Sequence, residues 1–162
     1  MTRPPAAPPI LMGVYRYPRV MTSKSEPTIL GVLPGRVWLV GQGGVFFDAP
    51  AQQIAAKANT TVGHITLEVN GTKHVVAGVG SASGAPFSEQ QLAELASSRP
   101  AIEADPTTGS LMAGRTLFVG APGKVDGSYQ GGIQSMVGRE IGQQRDFGAA
   151  LRELLGAVGV AL

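Results

Sequence analysis

Asn70-Gly71 constrains this chain more than any other pair of residues in it. Both central positions of a type I′ turn need positive φ, and Asn-Gly tolerates that better than almost any other dipeptide. The flanks alternate as paired strands require. Ile65, Leu67 and Val69 face one way, while His64, Thr66 and Glu68 face the other, and Thr72–Val79 supplies the return strand. A hairpin over 64–79 is therefore predicted, and with it a β-rich fold.

Other segments carry the same signal. Thr28–Leu33 runs into Pro34-Gly35, which suits a type II turn. Arg36–Val40 follows, with Val37 and Leu39 on one face and Trp38 and Val40 on the other. Gly41-Gln42-Gly43-Gly44 turns the chain into Val45–Asp48. Residues 49–61 read equally as a short helix or a short strand around Ile54 and Lys57. Further on, Thr107-Thr108-Gly109 marks a turn, Leu111–Val119 a further strand, and residues 120–132 a Gly-rich loop.

Two helices interrupt this pattern. Ser88-Glu-Gln-Gln91 is a capping box that opens a short helix near 88–96, ahead of Pro100. Near the end, Phe147, Leu151, Leu154, Leu155 and Val158 fall at offsets 0, 4, 7, 8 and 11, one apolar stripe of a helix over about 143–160. Arg145, Arg152 and Glu153 take the opposite side. The fold class predicted is α+β, mainly antiparallel β: a small barrel or sandwich with a C-terminal amphipathic helix.

Residues 1–27 read as an extended Pro-rich arm ahead of a single domain over 28–162. Pro4, Pro5, Pro8 and Pro9 favour polyproline II and break any helical leader. Within the arm, Ile10–Tyr17 is apolar enough to pair at a sheet edge or to lie on a partner. Tyr15, Arg16, Tyr17 and Arg19 form its aromatic-basic cluster, and a protein contact is the reading they favour. Stacking on single-stranded nucleic acid needs such groups on a rigid platform, and Pro18 interrupts this one.

The pieces GRVWLVGQGGVFFDAP, QQIAAK and GHITLEVNGTKHVVAGV, followed by the terminal helix, resemble the strand pattern of bacterial pleckstrin-homology-like and GRAM-like domains. The resemblance covers about residues 35–80 plus that helix. It implies a curled sheet whose open end the helix plugs, and a role as a binding or scaffolding module. It does not imply lipid headgroup binding. Gln42, Gly43 and Gly44 occupy the turn where phosphoinositide-binding members cluster Lys and Arg.

Charge and composition narrow the function classes. A pI near 9.2 suggests nucleic acid, but the net charge is only +2. With two His and no Cys, few groups titrate between pH 5 and 9, so a small excess lifts the pI far. No specific nucleic acid is expected as a partner. The absence of Cys removes disulfides, zinc-thiolate sites and thiol catalysis, and fits a reducing, cytoplasmic setting. The longest apolar run, 154–162, is nine residues where a spanning helix needs about 20, so no integral membrane segment is expected. Nine Arg against four Lys, with two Asn, points to a GC-rich genome. High Gly (23 residues) and low charge (15%) suit tight turns and surfaces that meet other surfaces.

No cofactor is predicted, and each candidate chemistry has a plainer reading. Gly78–Gly84 looks like a dinucleotide loop, yet it follows a hairpin arm rather than a parallel strand, and Pro86 separates it from the capping Ser88. His64 and His74 flank the hairpin turn; with Glu68 they could bind a metal, but two exposed histidines, open to contact with a protein partner, are the expectation. Ser23-Lys24-Ser25 lacks anything to desolvate the lysine, and Glu103 with Asp105 reads as a surface pair. The function predicted is a non-enzymatic binding or assembly module acting through protein contacts or self-association. A structural subunit of a phage or other large assembly is one alternative. A nucleotide- or metal-using enzyme near Gly78–Gly84 and His64/His74 is the other.

Overall fold

Period-2 alternation with turn residues between the runs builds one sheet. In the computed structural model, the described residues are 9–17, 26–59, 64–77, 88–97, 148–149 and 151–162, with the backbone alone described at 92 and 96. They form β1 (Ile10–Tyr17), β2 (Glu26–Leu33), β3 (Arg36–Gly41), β4 (Gly44–Pro50), β5 (Ile54–Ala58), β6 (Ile65–Val69) and β7 (Thr72–Ala77). The helix α1 spans Glu89–Ser97, and residues 148–149 and 151–158 are helical, here α2. The strand order is β4-β3-β2-β1-β7-β6-β5, and every pair is antiparallel.

The predicted hairpin is β6–β7, in the register Val69↔Thr72 and Leu67↔His74. Asn70 has φ 51° and Gly71 φ 80°, the two positive values a type I′ turn demands. Gly35 has φ 83°, as the Pro-Gly turn predicted. The ambiguous segment after β4 resolves into a three-residue 3-10 turn, Ala51–Gln53, and then β5.

Residues 10–17 correct the reading of an N-terminal arm. β1 pairs with β2 on one side and β7 on the other, so it lies at the centre of the sheet. The prolines drew the boundary too far along the sequence, because the apolar alternation of β1 begins immediately after them. The barrel or sandwich expectation is also coarser in outcome: the described strands form one open, curled sheet. Its curl is severe. Three strands separate β4 from β7, which in a flat sheet would put them about 19 Å apart. Yet the rings of Phe47 and His74 lie 5.1 Å apart across the interior. The two edge strands, β4 and β5, are joined by only the 3-10 turn.

Curling buries one face of the sheet inside itself. Met12, Val14, Leu30, Leu39, Ile54, Ile65 and Leu67 fill that interior. Leu151, Leu154 and Leu155 of α2 complete it, with Val158 packed at the margin. Each such leucine contributes about 1.5–3 kcal/mol on burial. The apolar stripe read from the sequence is therefore the plug of the curled sheet, Phe147 lying outside the described residues. A Schellman cap ends α2: Val160 N donates to Leu155 O at 3.0 Å and Gly159 N to Gly156 O at 3.2 Å, with Gly159 at φ 109°. The chain then adds to β5. Ala56 N donates to Ala161 O at 2.8 Å, and Ala161 N to Ile54 O at 3.1 Å, in parallel sense.

The outer face carries a smaller cluster. Leu95 of α1 covers Tyr15, Tyr17, Ile29, Val75 and Ala77. The capping box is reciprocal as predicted, Gln91 N donating to Ser88 Oγ at 3.1 Å and Ser88 N to Gln91 Oε1 at 3.0 Å. Among the described residues no helix is long and apolar enough to cross a membrane.

Candidate functional site

The strand β5 is five residues long and has only one strand neighbour, β6. Alternate residues of a strand point to opposite faces, and each residue's N–H and C=O point to one side. Ala55 and Lys57 face outward, while Ile54 and Ala56 belong to the interior. Ile54 O and Ala56 N serve Ala161, so the even-numbered residues direct their backbone groups to the free edge. Asn59 N donates to His64 O at 2.9 Å on the other side, which is the phase this requires. The Ala56 carbonyl and both backbone groups of Ala58 therefore face outward along the edge, beyond the point where the tail leaves it.

A concavity of about 800 Å³ opens there, lined by all five residues 55–59. Thr66, Glu68, Lys73 and Val75 of β6 and β7 extend its floor, and His64 lies in its wall. The register sets the floor in two rows: Ala55 beside Glu68 and Lys73, and Lys57 beside Thr66 and Val75. Lys73 thus faces a carboxylate across the ladder, and Lys57 faces a hydroxyl.

Both histidines correct the sequence reading, which left them exposed. His64 is 6% and His74 4% exposed. His64 Nδ1 has no hydrogen-bond partner among the described residues, an unmade bond that costs about 1–3 kcal/mol. Burial lowers the His64 pKa below the usual imidazole value. His74 sits inside the curled sheet instead. Its Nδ1 accepts a hydrogen bond from Arg16 Nε at 3.1 Å, and Phe47 packs against its ring. Burial lowers its pKa first, and the Arg16 charge adds to that. Thr66 and Glu68 made the face of His64 look solvated, whereas His74 lies on the opposite face, paired with the inward Leu67.

Tyr15, Arg16 and Tyr17 of the aromatic-basic cluster likewise do not form a surface. Tyr15 and Tyr17 are buried beneath α1. Arg16 points to the interior side, its guanidinium 4.2 Å from the Phe46 ring centroid and 3.6 Å from Glu26. A bulge opposite Leu39 and Val40 leaves Phe46 unmatched in the ladder, and its ring lies under Arg16. Arg19, Gly78–Gly84, Ser23-Lys24-Ser25, Glu103, Asp105 and residues 107–132 lie outside the described residues. Among the described residues no three His, Asp or Glu side chains converge on a metal position.

Sequence reasoning missed the β5 edge and the second role of Gln91. That side chain donates from Nε2 to Pro27 O at 3.0 Å and accepts at Oε1 from Gln42 Nε2 at 3.1 Å. A groove of about 300 Å³ runs beside it between α1 and the β3–β4 turn. The capping pattern was the only signal for Gln91, and no sequence signal marked the edge. No protein family, curated protein or solved structure matches this protein.

Proposed function

We propose that this protein is a non-enzymatic binding module that takes an extended segment of a partner protein as an added strand on the edge of β5. One observation carries the reading: four consecutive residues of the edge strand, Ala55 to Ala58, together with Asn59 just past its end, line a single concavity. Side chains on one face of a strand would contribute only alternate positions, so the backbone edge itself opens on the space. Backbone hydrogen bonds supply affinity in this mode of recognition, and the neighbouring side chains select the ligand. The protein already uses the mode on itself, through Ala161 on Ile54 and Ala56.

A curled antiparallel sheet plugged by an amphipathic helix also suits the pleckstrin-homology-like resemblance and its implied role in binding. The other edge is less suited to added strands. β4 carries a bulge, Asp48 and Pro50, three features that blunt edge pairing. The test uses decapeptides of alternating Val and Thr, titrated into the full-length protein by fluorescence polarisation. Binding should vanish when alternate peptide nitrogens are methylated, and should fall at least tenfold in Ala58→Pro, which removes one edge donor. Equal binding by the methylated peptide would end the proposal.

A further inference from the structure

We infer that the strand received at β5 presents an acidic side chain, held between the Lys57 ammonium and the His64 imidazole. The inference rests on the strand-addition reading and adds the chemistry of the ligand. Three features of the concavity support it.

First, the two lysines on its floor are not equivalent. Lys73 stands directly across from Glu68, whereas the cross-strand neighbour of Lys57 is Thr66. Among the described residues Lys57 has no carboxylate partner. It is also the middle residue of the five that line the space, so a carboxylate on an added strand meets it without displacing another acid. Second, His64 is a buried polar side chain with a ring nitrogen that nothing described satisfies. It lines the same concavity as Lys57, and its backbone carbonyl oxygen is bonded to Asn59, two residues after that lysine. Buried polar groups are nearly always paired, and this nitrogen, which has almost no accessible surface of its own, gains a partner when the ring turns toward a ligand in the recess. Third, the recess is not uniformly cationic. Glu68 repels an acid placed over the other row, so the charge preference is local to the row of Lys57 and Thr66. A ligand with one carboxylate fits better than a polyanion.

A set of decapeptides tests this: alternating Val and Thr with one central Glu, Gln or Lys, bound to the full-length protein at low ionic strength. The Glu peptide should bind about tenfold tighter than the Gln peptide, and the Lys peptide weakest. Lys57→Gln should reduce the Glu-over-Gln preference to within about twofold while the Gln peptide binds as before. His64→Phe keeps a ring and removes both nitrogens. It should narrow the preference without lowering the melting temperature of the free protein. Equal binding of the Glu and Gln peptides, with that binding still abolished by Ala58→Pro, overturns this inference and leaves strand addition standing. Binding of every peptide that survives both Ala58→Pro and nitrogen methylation overturns strand addition, and this inference with it. A full Glu preference in His64→Phe removes the histidine from the site.

Discussion

Arg16 on β1 donates from Nε to Nδ1 of His74 on β7, 3.1 Å away, inside the curl of the sheet. The direction of the bond defines the state of the histidine. An imidazole nitrogen that accepts carries no proton, so His74 is neutral, and the Arg16 guanidinium lies among Phe46, Glu26 and the ring. A charged side chain is thereby stacked and hydrogen-bonded inside the curl.

The first prediction concerns pH. An unfolded histidine titrates near pH 6.5, whereas burial lowers both His64 and His74 in the fold, with the Arg16 charge adding to the shift at His74. Between the folded and unfolded values the unfolded state holds more protons, so stability rises with pH across that window. The stability is complete above about pH 6.5 and is lost as pH falls toward the folded values. Melting temperature should drop between pH 7.5 and 5.5 at fixed ionic strength. His74→Gln keeps an acceptor for Arg16 but does not titrate, so its melting temperature should fall less over the same interval. An identical fall in both proteins would show that His74 takes no part.

The second concerns Gly31. A Cβ built there lies 2.1 Å from Cε2 of Trp38, so the indole lies flat on bare backbone. Gly31→Ala forces the ring away and should cost about 1–3 kcal/mol in urea unfolding. In a Trp38→Leu background the same change should cost less than about 1 kcal/mol, giving a large coupling in the double-mutant cycle. Additive costs would mean that the indole already has room to move.

The hairpin and both helices were legible because each rests on local chemistry: Asn70-Gly71 for the turn, Ser88 and Gln91 for the cap, and Leu151, Leu154 and Leu155 for the stripe. What the sequence hid depends on contacts between residues far apart in it. Whether Tyr15 is a surface aromatic or a core one depends on Leu95, 80 residues away. His74 shares its face with Thr72 and looks solvated until the curl brings Phe47 against it. The β5 edge was hidden for a related reason. Ala55, Ala56 and Ala58 carry no pattern of their own, and only the return of Ala161 shows which side of the strand is open.

Gln91 provides the third prediction. One side chain serves Ser88, Gln42 and Pro27, and so fastens the start of α1 to the start of β2 and the β3–β4 turn. Ser88→Ala removes half the capping box and should cost about 1 kcal/mol. Gln91→Ala also strands the Pro27 carbonyl, and its cost should exceed that of Ser88→Ala by about 1–2 kcal/mol. Equal urea midpoints for the two variants would mean that water replaces the bonds to Pro27 and Gln42 at no loss.

The last prediction separates two roles of the final residues. Val160 is buried in the main core, while Ala161 is exposed and contributes backbone hydrogen bonds to β5. Deleting 160–162 removes both and should cost about 1.5–3 kcal/mol for the valine, with about 1 kcal/mol more for each bond. The deletion also bares Ile54 O and Ala56 N on a strand of small residues, which invites pairing between copies. Ala161→Pro isolates the second effect, since it keeps Val160 and removes only the N–H that Ile54 O accepts. Light scattering over a concentration series should show self-association in the deletion and a weaker tendency in Ala161→Pro, with the parent least affected. If the deletion unfolds more easily yet stays as monomeric as the parent, the tail matters only for packing, and the edge of β5 does not accept strands.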